Sequence, residues 1–211
     1  VDISMYKNIP VPTSYMAVNS KYDFVGGYEH DQQVGMIHLA NHRISPGKKL
    51  WTWGNSDFGK AWNKHLTDQD GAYMELMAGV FTDNQPDFSW LKPYEEKAFS
   101  QYFIPYHDLG LIKNASTEVL LNLESAGGFV TVRIQSTSVM QGVRIVLQGF
   151  LDEVCELTPE EVFVRRIALG DADPYALELS IYNADGALIL KYNPERKEDK
   201  QPPLPASAAR K

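Results

Sequence analysis

Apolar residues in this chain recur with a period of two far more often than with the helical period of about 3.6. In the run 128–137, for example, Val130, Val132 and Ile134 alternate with Thr131 and Arg133. Successive side chains of a β-strand point to opposite faces, so each such run has one apolar face. The pattern predicts an all-β protein.

The alternating runs are densest over residues 114–193. The turn Asp185-Gly186 separates two of them, and Asp-Gly between alternating runs is a strong hairpin signal. Short strands spaced by turn residues are typical of an immunoglobulin-like or fibronectin-like β-sandwich. We predict such a domain here, with strands near 117–124, 128–137, 143–147, 162–164, 177–181 and 188–190.

Residues 1–113 differ from this pattern, because longer polar loops separate their predicted strands. Loops of that length commonly carry function. After residue 193 the chain is rich in charge and proline, so 194–211 is predicted to be a flexible tail or linker. In the first domain, strands are expected at 14–19, 34–39, 50–53, 72–81 and 97–106.

Composition excludes several classes of partner. A net charge of −7 without a basic stripe argues against nucleic acid, and no apolar run reaches the roughly 18 residues of a membrane span. Cys155 is the single cysteine, so it cannot form a disulfide within the chain. The chain starts at Val1 with no visible signal pattern, so we expect that an upstream segment was removed or never included. The compartment stays open, with the cytoplasm favoured.

All four tryptophans, Trp51, Trp53, Trp62 and Trp90, lie between residues 51 and 90. They could be ordinary core residues, because aromatic side chains bury large areas. They could instead form a platform for the apolar face of a sugar ring, with polar groups at its rim. Side chains of that kind lie nearby, although the same residue types also favour turns: Asn55, Asp57, Asp83, Asn84, Gln85 and Asp87.

Glu75 is an unusual carboxylate because it interrupts a predicted strand. If its face lines a cleft, burial would raise its pKa and suit it to acid or base catalysis. If the face is open to water, Glu75 is an ordinary surface residue. Glycoside hydrolysis usually takes two carboxylates. Asp83 and Asp87 are the candidates chosen for the second, and Glu29 and Asp31 are alternatives.

A mutarotase mechanism would pair a carboxylate base with an imidazole acid, for which His30, His38 and His42 are available. His38 and His42 have the spacing of a zinc motif, but residue 39 is leucine rather than glutamate, so no metal is predicted. No phosphate-binding loop is present, and no cofactor is expected.

Several consecutive motifs carry a family resemblance: WTWGN at 51–55, YMELMAG at 73–79 and TDNQPDFSWL at 82–91. In order and spacing they resemble a bacterial family of domains of unknown function that is often coupled to tetratricopeptide repeats. That family is similar to the supersandwich of galactose mutarotases and glycoside hydrolases. The resemblance covers roughly residues 6–114.

The resemblance implies an antiparallel β-supersandwich whose concave face binds carbohydrate, with Glu75 at the position of a late-strand carboxylate. The first domain is too short for a complete supersandwich, so its N-terminal half is expected to be missing. Exposed strand edges would then be covered by a partner, by another copy in a homo-oligomer, or by the missing N-terminal and repeat segments.

Three hypotheses about function follow. The first is a glycoside hydrolase or a related sugar-processing enzyme, with Glu75, Asp83 and Asp87 as catalytic residues. The second is a non-catalytic carbohydrate-binding module, and the third is a scaffold domain for protein interaction. In the first two, the substrate-binding residues are Trp51, Trp53, Asn55, Asp57, Trp62, Asn84, Gln85, Trp90, His30 and His42.

Overall fold

The computed structural model describes residues 2–17, 20–81 and 90–196. In these residues β-strand is by far the predominant regular structure and every strand pair is antiparallel, so the predicted all-β fold is confirmed. The strands are β1 (Thr13–Met16), β2 (Phe24–Glu29), β3 (Val34–Leu39), β4 (Gly47–Thr52), β5 (Met74–Gly79), β6 (Tyr102–His107), β7 (Asn114–Ala115), β8 (Val119–Ala126), β9 (Phe129–Ser136), β10 (Met140–Leu147), β11 (Leu151–Leu157), β12 (Phe163–Ala168), β13 (Leu179–Tyr182) and β14 (Leu188–Tyr192). The α-helix is α1 (Asp57–Leu66), and 3-10 turns span Tyr6–Asn8 and Pro174–Ala176.

Four small sheets are formed by these strands. Sheet I has the order β1-β4-β5, and sheet II has the order β2-β3-β6. Sheet III (β12-β9-β8-β7) and sheet IV (β11-β10-β13-β14) form a β-sandwich over the second half of the chain. Sheets I and II meet where β5 contacts β2.

The core of the sandwich contains the apolar positions of the alternating runs. Ile134, Ile145, Leu179 and Ile181 are fully buried there. Burying one such side chain stabilises the folded state by about 1.5–3 kcal/mol. This core therefore explains why the apolar residues of the second half alternate so regularly along its strands. The full buried set is Val119, Leu121, Leu123, Val130, Val132, Ile134, Val143, Ile145, Leu147, Leu157, Phe163, Leu169, Leu177, Leu179, Ile181 and Leu190.

A second core joins the two halves of the chain. Sheet II contributes Ile37, Leu39 and Tyr106, and the residues after it contribute Leu109, Ala115 and Leu120. Two side-chain hydrogen bonds reinforce this contact. The His107 backbone N–H donates to Gln135 Oε1 at 3.3 Å, and Asn122 Nδ2 donates to the Leu109 carbonyl at 2.6 Å.

Several elements follow the alternation of the sequence closely, and others were missed. The strand expected at 34–39 is β3, whereas β2 was not predicted because Gly26 and Gly27 interrupt its pattern. The strand β11 was also missed, since its apolar residues Leu151, Val154 and Leu157 are three apart. Residues 197–211, most of the predicted tail, lie outside the described part of the chain.

Candidate functional site

Glu75 and Trp51 lie on the same face of sheet I. They are directly opposed across the β4–β5 pair, and Ser14 of β1 stands on the other side of Trp51. Opposed residues of an antiparallel pair project to the same side of the sheet. Trp53 and Tyr73 follow this face beyond the strand ends, two residues from Trp51 and Glu75.

Helix α1 places two further aromatic rings against this face. Trp62 stacks on Trp53 with ring centroids 4.4 Å apart and an interplanar angle of 7°. Phe58, one helical turn before Trp62, meets Trp53 edge to face at 6.1 Å. Trp51 meets Trp53 at 5.4 Å in the same manner. We call Trp51, Trp53, Phe58, Trp62, Tyr73 and Glu75 the aromatic face.

The helix can approach so closely because residue 59 is glycine. A Cβ atom at Gly59 would lie 1.9 Å from the Gly54 carbonyl oxygen and 2.6 Å from that of Trp53. Both atoms belong to the backbone and cannot move aside without shifting the chain. The helix axis is therefore held against the Trp53–Gly54 turn.

The rings of the aromatic face are only partly covered. Phe58 is 56% exposed and Trp62 is 38% exposed, while Trp51 and Trp53 are half-buried. Side chains that fill a protein core are normally covered on all sides. These rings form a ledge that is open to solvent on one side.

Glu75 is half-buried and has a polar neighbour on the same face. The pKa of Tyr73 is raised, first because its hydroxyl hydrogen-bonds to the Glu75 carboxylate and then by burial. A neutral tyrosine hydroxyl donates to a carboxylate and orients it. The acid thus lies beside an indole and a phenol rather than alone in solvent.

The other residues predicted to contact a sugar, or to complete the catalytic pair, differ in their surroundings. Asn55 Nδ2 donates to the backbone carbonyls of Lys7 and Tyr6, at 2.5 Å and 3.3 Å, so this amide holds the N-terminal 3-10 turn. Asp57 is exposed at the first position of α1. Trp90 is 78% exposed. Asp83, Asn84, Gln85 and Asp87 lie outside the described residues.

The structure does not bring the histidines to Glu75. His30 follows β2 and packs edge to face on Tyr28 at 5.1 Å. His42 Nδ1 lies 2.7 Å from Asp23 Oδ1, just before β2. His38 is buried, with Nε2 2.9 Å from Gln101 Oε1. All three belong to sheet II or its loops.

A large apolar cleft of about 1230 Å³ lies on the opposite side of β5 from Glu75. Met74 and Leu76 line it, and successive strand residues point to opposite faces. Leu76 also faces sheet II, where its Cδ1 atom would lie 3.6 Å from a Cβ at Gly27. The aromatic face and this cleft are therefore separate surfaces. The cleft is further lined by Tyr28, Met36, Phe103, Ile104, Tyr106 and Leu120.

In the described part of the chain, no group of three or more His, Cys, Asp and Glu side chains could hold a metal ion. Among the described residues there is likewise no helix with the length and hydropathy of a membrane span.

Helix α1 is the part of the site that sequence reasoning missed. The sequence pattern predicts a polar rim at Asn55 and Asp57, whereas in the structure Ser56 is the N-cap of the helix and Asp57 its first residue. A signal was present, because Phe58, Trp62 and Leu66 recur every four residues, as on one face of a helix. The neighbouring alternating runs hid this short helical pattern.

Comparison with known families gives two adjoining matches. Residues 114–192 match the family described as YphG-like protein, second domain. No solved structure matches the chain significantly. Residues 1–106, half of the chain and the part that contains the aromatic face, match the family described as Domain of unknown function (DUF5107). The chain therefore belongs to the DUF5107 family.

Proposed function

We propose that this chain is a carbohydrate-active protein that binds a glycan or oligosaccharide on the aromatic face. The observation that carries the proposal is the pairing of Trp51 with Glu75 on one side of sheet I, beside a partly exposed indole stack. The ligand surface would be the open ledge formed by Trp62, Phe58 and Trp53.

The chemistry of this ledge suits a sugar ring. A pyranose has an apolar face of C–H bonds that packs on an aromatic ring, and its hydroxyls need donors and acceptors at the rim. The Glu75 carboxylate can accept from two neighbouring hydroxyls, and the Tyr73 hydroxyl can donate or accept. A purely hydrophobic partner would leave these polar groups without hydrogen bonds.

Catalysis is the more specific form of the proposal, with Glu75 as general acid or base. A glycoside hydrolase needs a second carboxylate, for which Asp83 and Asp87 remain the predicted candidates. Likeness to the galactose-mutarotase and glycoside-hydrolase supersandwich would favour this form. Coupling to tetratricopeptide repeats in the intact protein belongs to the same proposal.

A non-catalytic carbohydrate-binding module is the second candidate. A hydrolase would need a second carboxylate near Glu75, but the alternative candidates Glu29 and Asp31 are not on sheet I. Glu29 ends β2 in sheet II and Asp31 follows that strand, which favours the module. A binding module needs the aromatic ledge and a polar rim but no pair of acids.

Calorimetric titration of the whole chain with a panel of oligosaccharides, together with product analysis, tests the proposal. Trp62→Ala removes half of the indole stack from an exposed helix position, so it should weaken binding about tenfold, or 1.4 kcal/mol, while the protein stays folded. Phe150→Ala is the matched control, because Phe150 is an aromatic residue with nearly the same exposure as Trp62 and lies between β10 and β11 of the sandwich.

Glu75→Gln separates the two candidates. If the chain is an enzyme, this variant keeps sugar binding and loses turnover, because the amide cannot transfer the proton. Binding without product from the unmodified chain supports the module. Absence of binding to every glycan of the panel would favour the scaffold role instead.

A further inference from the structure

Tyr6 and Asn63 connect four segments that adjoin the aromatic face. The Tyr6 hydroxyl donates to the Gly54 carbonyl at 2.8 Å and accepts from Asn63 Nδ2 at 3.1 Å. Asn63 Oδ1 accepts from the backbone N–H of Tyr73 at 3.1 Å. One side-chain pair thus links the N-terminal turn, the turn after Trp53, helix α1 and the entry to β5.

Each link ends next to a residue of the aromatic face. Asn63 follows Trp62 directly in the helix, Gly54 follows Trp53, and Tyr73 carries the hydroxyl that bonds to Glu75. A displacement of this network would therefore change both the indole stack and the orientation of the carboxylate. None of the network atoms needs to touch a ligand for this to occur.

The links are chemically specific. Both Tyr6 and Asn63 are half-buried, so loss of one partner leaves a donor or acceptor poorly solvated, which costs more than the net value of a hydrogen bond. The asparagine amide supplies the donor that Tyr6 needs and the acceptor that Tyr73 needs at the same time. An aspartate or leucine at residue 63 cannot supply both.

We infer that Tyr6 and Asn63 are positioning residues that fix the Trp53–Trp62 stack and the Tyr73–Glu75 pair in the geometry needed for ligand binding. The inference deepens the proposed function of the same face and rests on it for its binding consequence. Its geometric consequence is independent of any ligand.

Indoles in contact couple their transition dipoles and give an exciton signal in far-ultraviolet circular dichroism, to which the Trp53–Trp62 stack and the Trp51–Trp53 pair both contribute. The spectrum of the whole chain is compared with those of Tyr6→Phe, Asn63→Leu and the milder Asn63→Asp, which keeps the acceptor for Tyr73. Trp62→Phe defines the contribution of the Trp53–Trp62 stack, because it leaves the Trp51–Trp53 pair in place. Tyr15→Phe is the matched control, since Tyr15 is half-buried and its hydroxyl has no hydrogen bond within the described structure.

Tyr6→Phe and Asn63→Leu are expected to unfold cooperatively but to lose most of the signal that Trp62→Phe removes, while Tyr15→Phe keeps it. If Asn63→Leu does not fold, Tyr6→Phe and Asn63→Asp still decide the question. A signal unchanged in the folded variants, or one that Trp62→Phe does not alter, overturns the inference.

Binding gives the second readout. For any oligosaccharide that the unmodified chain binds, Tyr6→Phe should weaken affinity about tenfold, and equal affinity overturns the role in binding. If that signal is lost in the variants while the unmodified chain binds no glycan, the positioning role stands and the proposed function fails.

Discussion

At the scale of single residues, Glu75 shows how neighbours determine the chemistry of a side chain. It occupies an interior position of a strand, yet its carboxylate lies beside Trp51 and is hydrogen-bonded by Tyr73. The Glu75 carboxylate therefore keeps a hydrogen-bond partner although neighbouring side chains cover part of it. Leu76, the next residue, faces the other way into the apolar cleft.

Tyr192 gives a prediction about pH. Burial, followed by the charges of Tyr22 and Glu195, raises its pKa from 10.0 to about 12. The folded state therefore keeps this proton where the unfolded state releases it, so stability is present below pH 10 and declines as the pH rises towards 12. Tyr192→Phe should show a smaller alkaline loss of unfolding free energy in urea titrations.

The control for Tyr192→Phe is Tyr94→Phe, at a fully exposed tyrosine. This change should leave the alkaline decline as it is in the unmodified protein. An identical decline in Tyr192→Phe would contradict the assigned role of Tyr192, although Tyr106, whose pKa burial also raises, contributes in the same direction.

At the scale of elements, helix α1 converts a sheet face into a ledge. It is short, so tertiary packing rather than intrinsic propensity holds it in place. That packing depends on the close approach at Gly59 and on the stack of Trp62 on Trp53. Without the helix, the aromatic face would consist of strand residues alone.

Gly59→Ala should therefore destabilise the protein by about 1–3 kcal/mol, the usual cost of overpacking. The added methyl group would collide with two backbone oxygens and push the helix away from Trp53. Chemical denaturation followed by tryptophan fluorescence measures this change. Lys60→Ala, at the exposed neighbouring position, should have little effect, and equal stability of the two variants would argue against the tight contact.

Particular residues show how far the sequence could predict this structure. The alternation of Val130, Val132 and Ile134 identified β9 and the sandwich core, because side-chain direction in a strand depends only on local sequence. The alternation also predicted that the side chains of Glu75 and Leu76 point to opposite faces of the sheet. Which strands pair, and hence that Trp51 lies beside Glu75, depends on tertiary contacts that local patterns do not encode.

At the scale of the whole molecule, the two halves share the core formed by residues such as Ile37, Tyr106 and Leu109. The first half nevertheless leaves apolar side chains exposed around the large cleft, including Met36 at 50% and Phe103 at 66%. Contiguous exposed apolar surface commonly marks a site of interaction. Coverage by a second copy or by further segments of the intact protein stays a prediction.

The two-sided arrangement also limits where a sugar could bind. The aromatic face combines rings with Glu75 and the Tyr73 hydroxyl, whereas the cleft on the other side of β5 is mainly apolar, with Glu29, Gln101 and Gln135 among its polar residues. Under the proposed function we expect the sugar on the aromatic face, where exposed rings adjoin the polar groups that sugar hydroxyls need.

The most direct test is to follow the indole N–H resonances of the four tryptophans by nuclear magnetic resonance during titration with a glycan selected from the panel. Each resonance is assigned by a single tryptophan-to-phenylalanine change. We predict that Trp53 and Trp62 shift together in a saturable manner, with Trp51 following. Unchanged Trp53 and Trp62 resonances during binding of the glycan would contradict the proposed site.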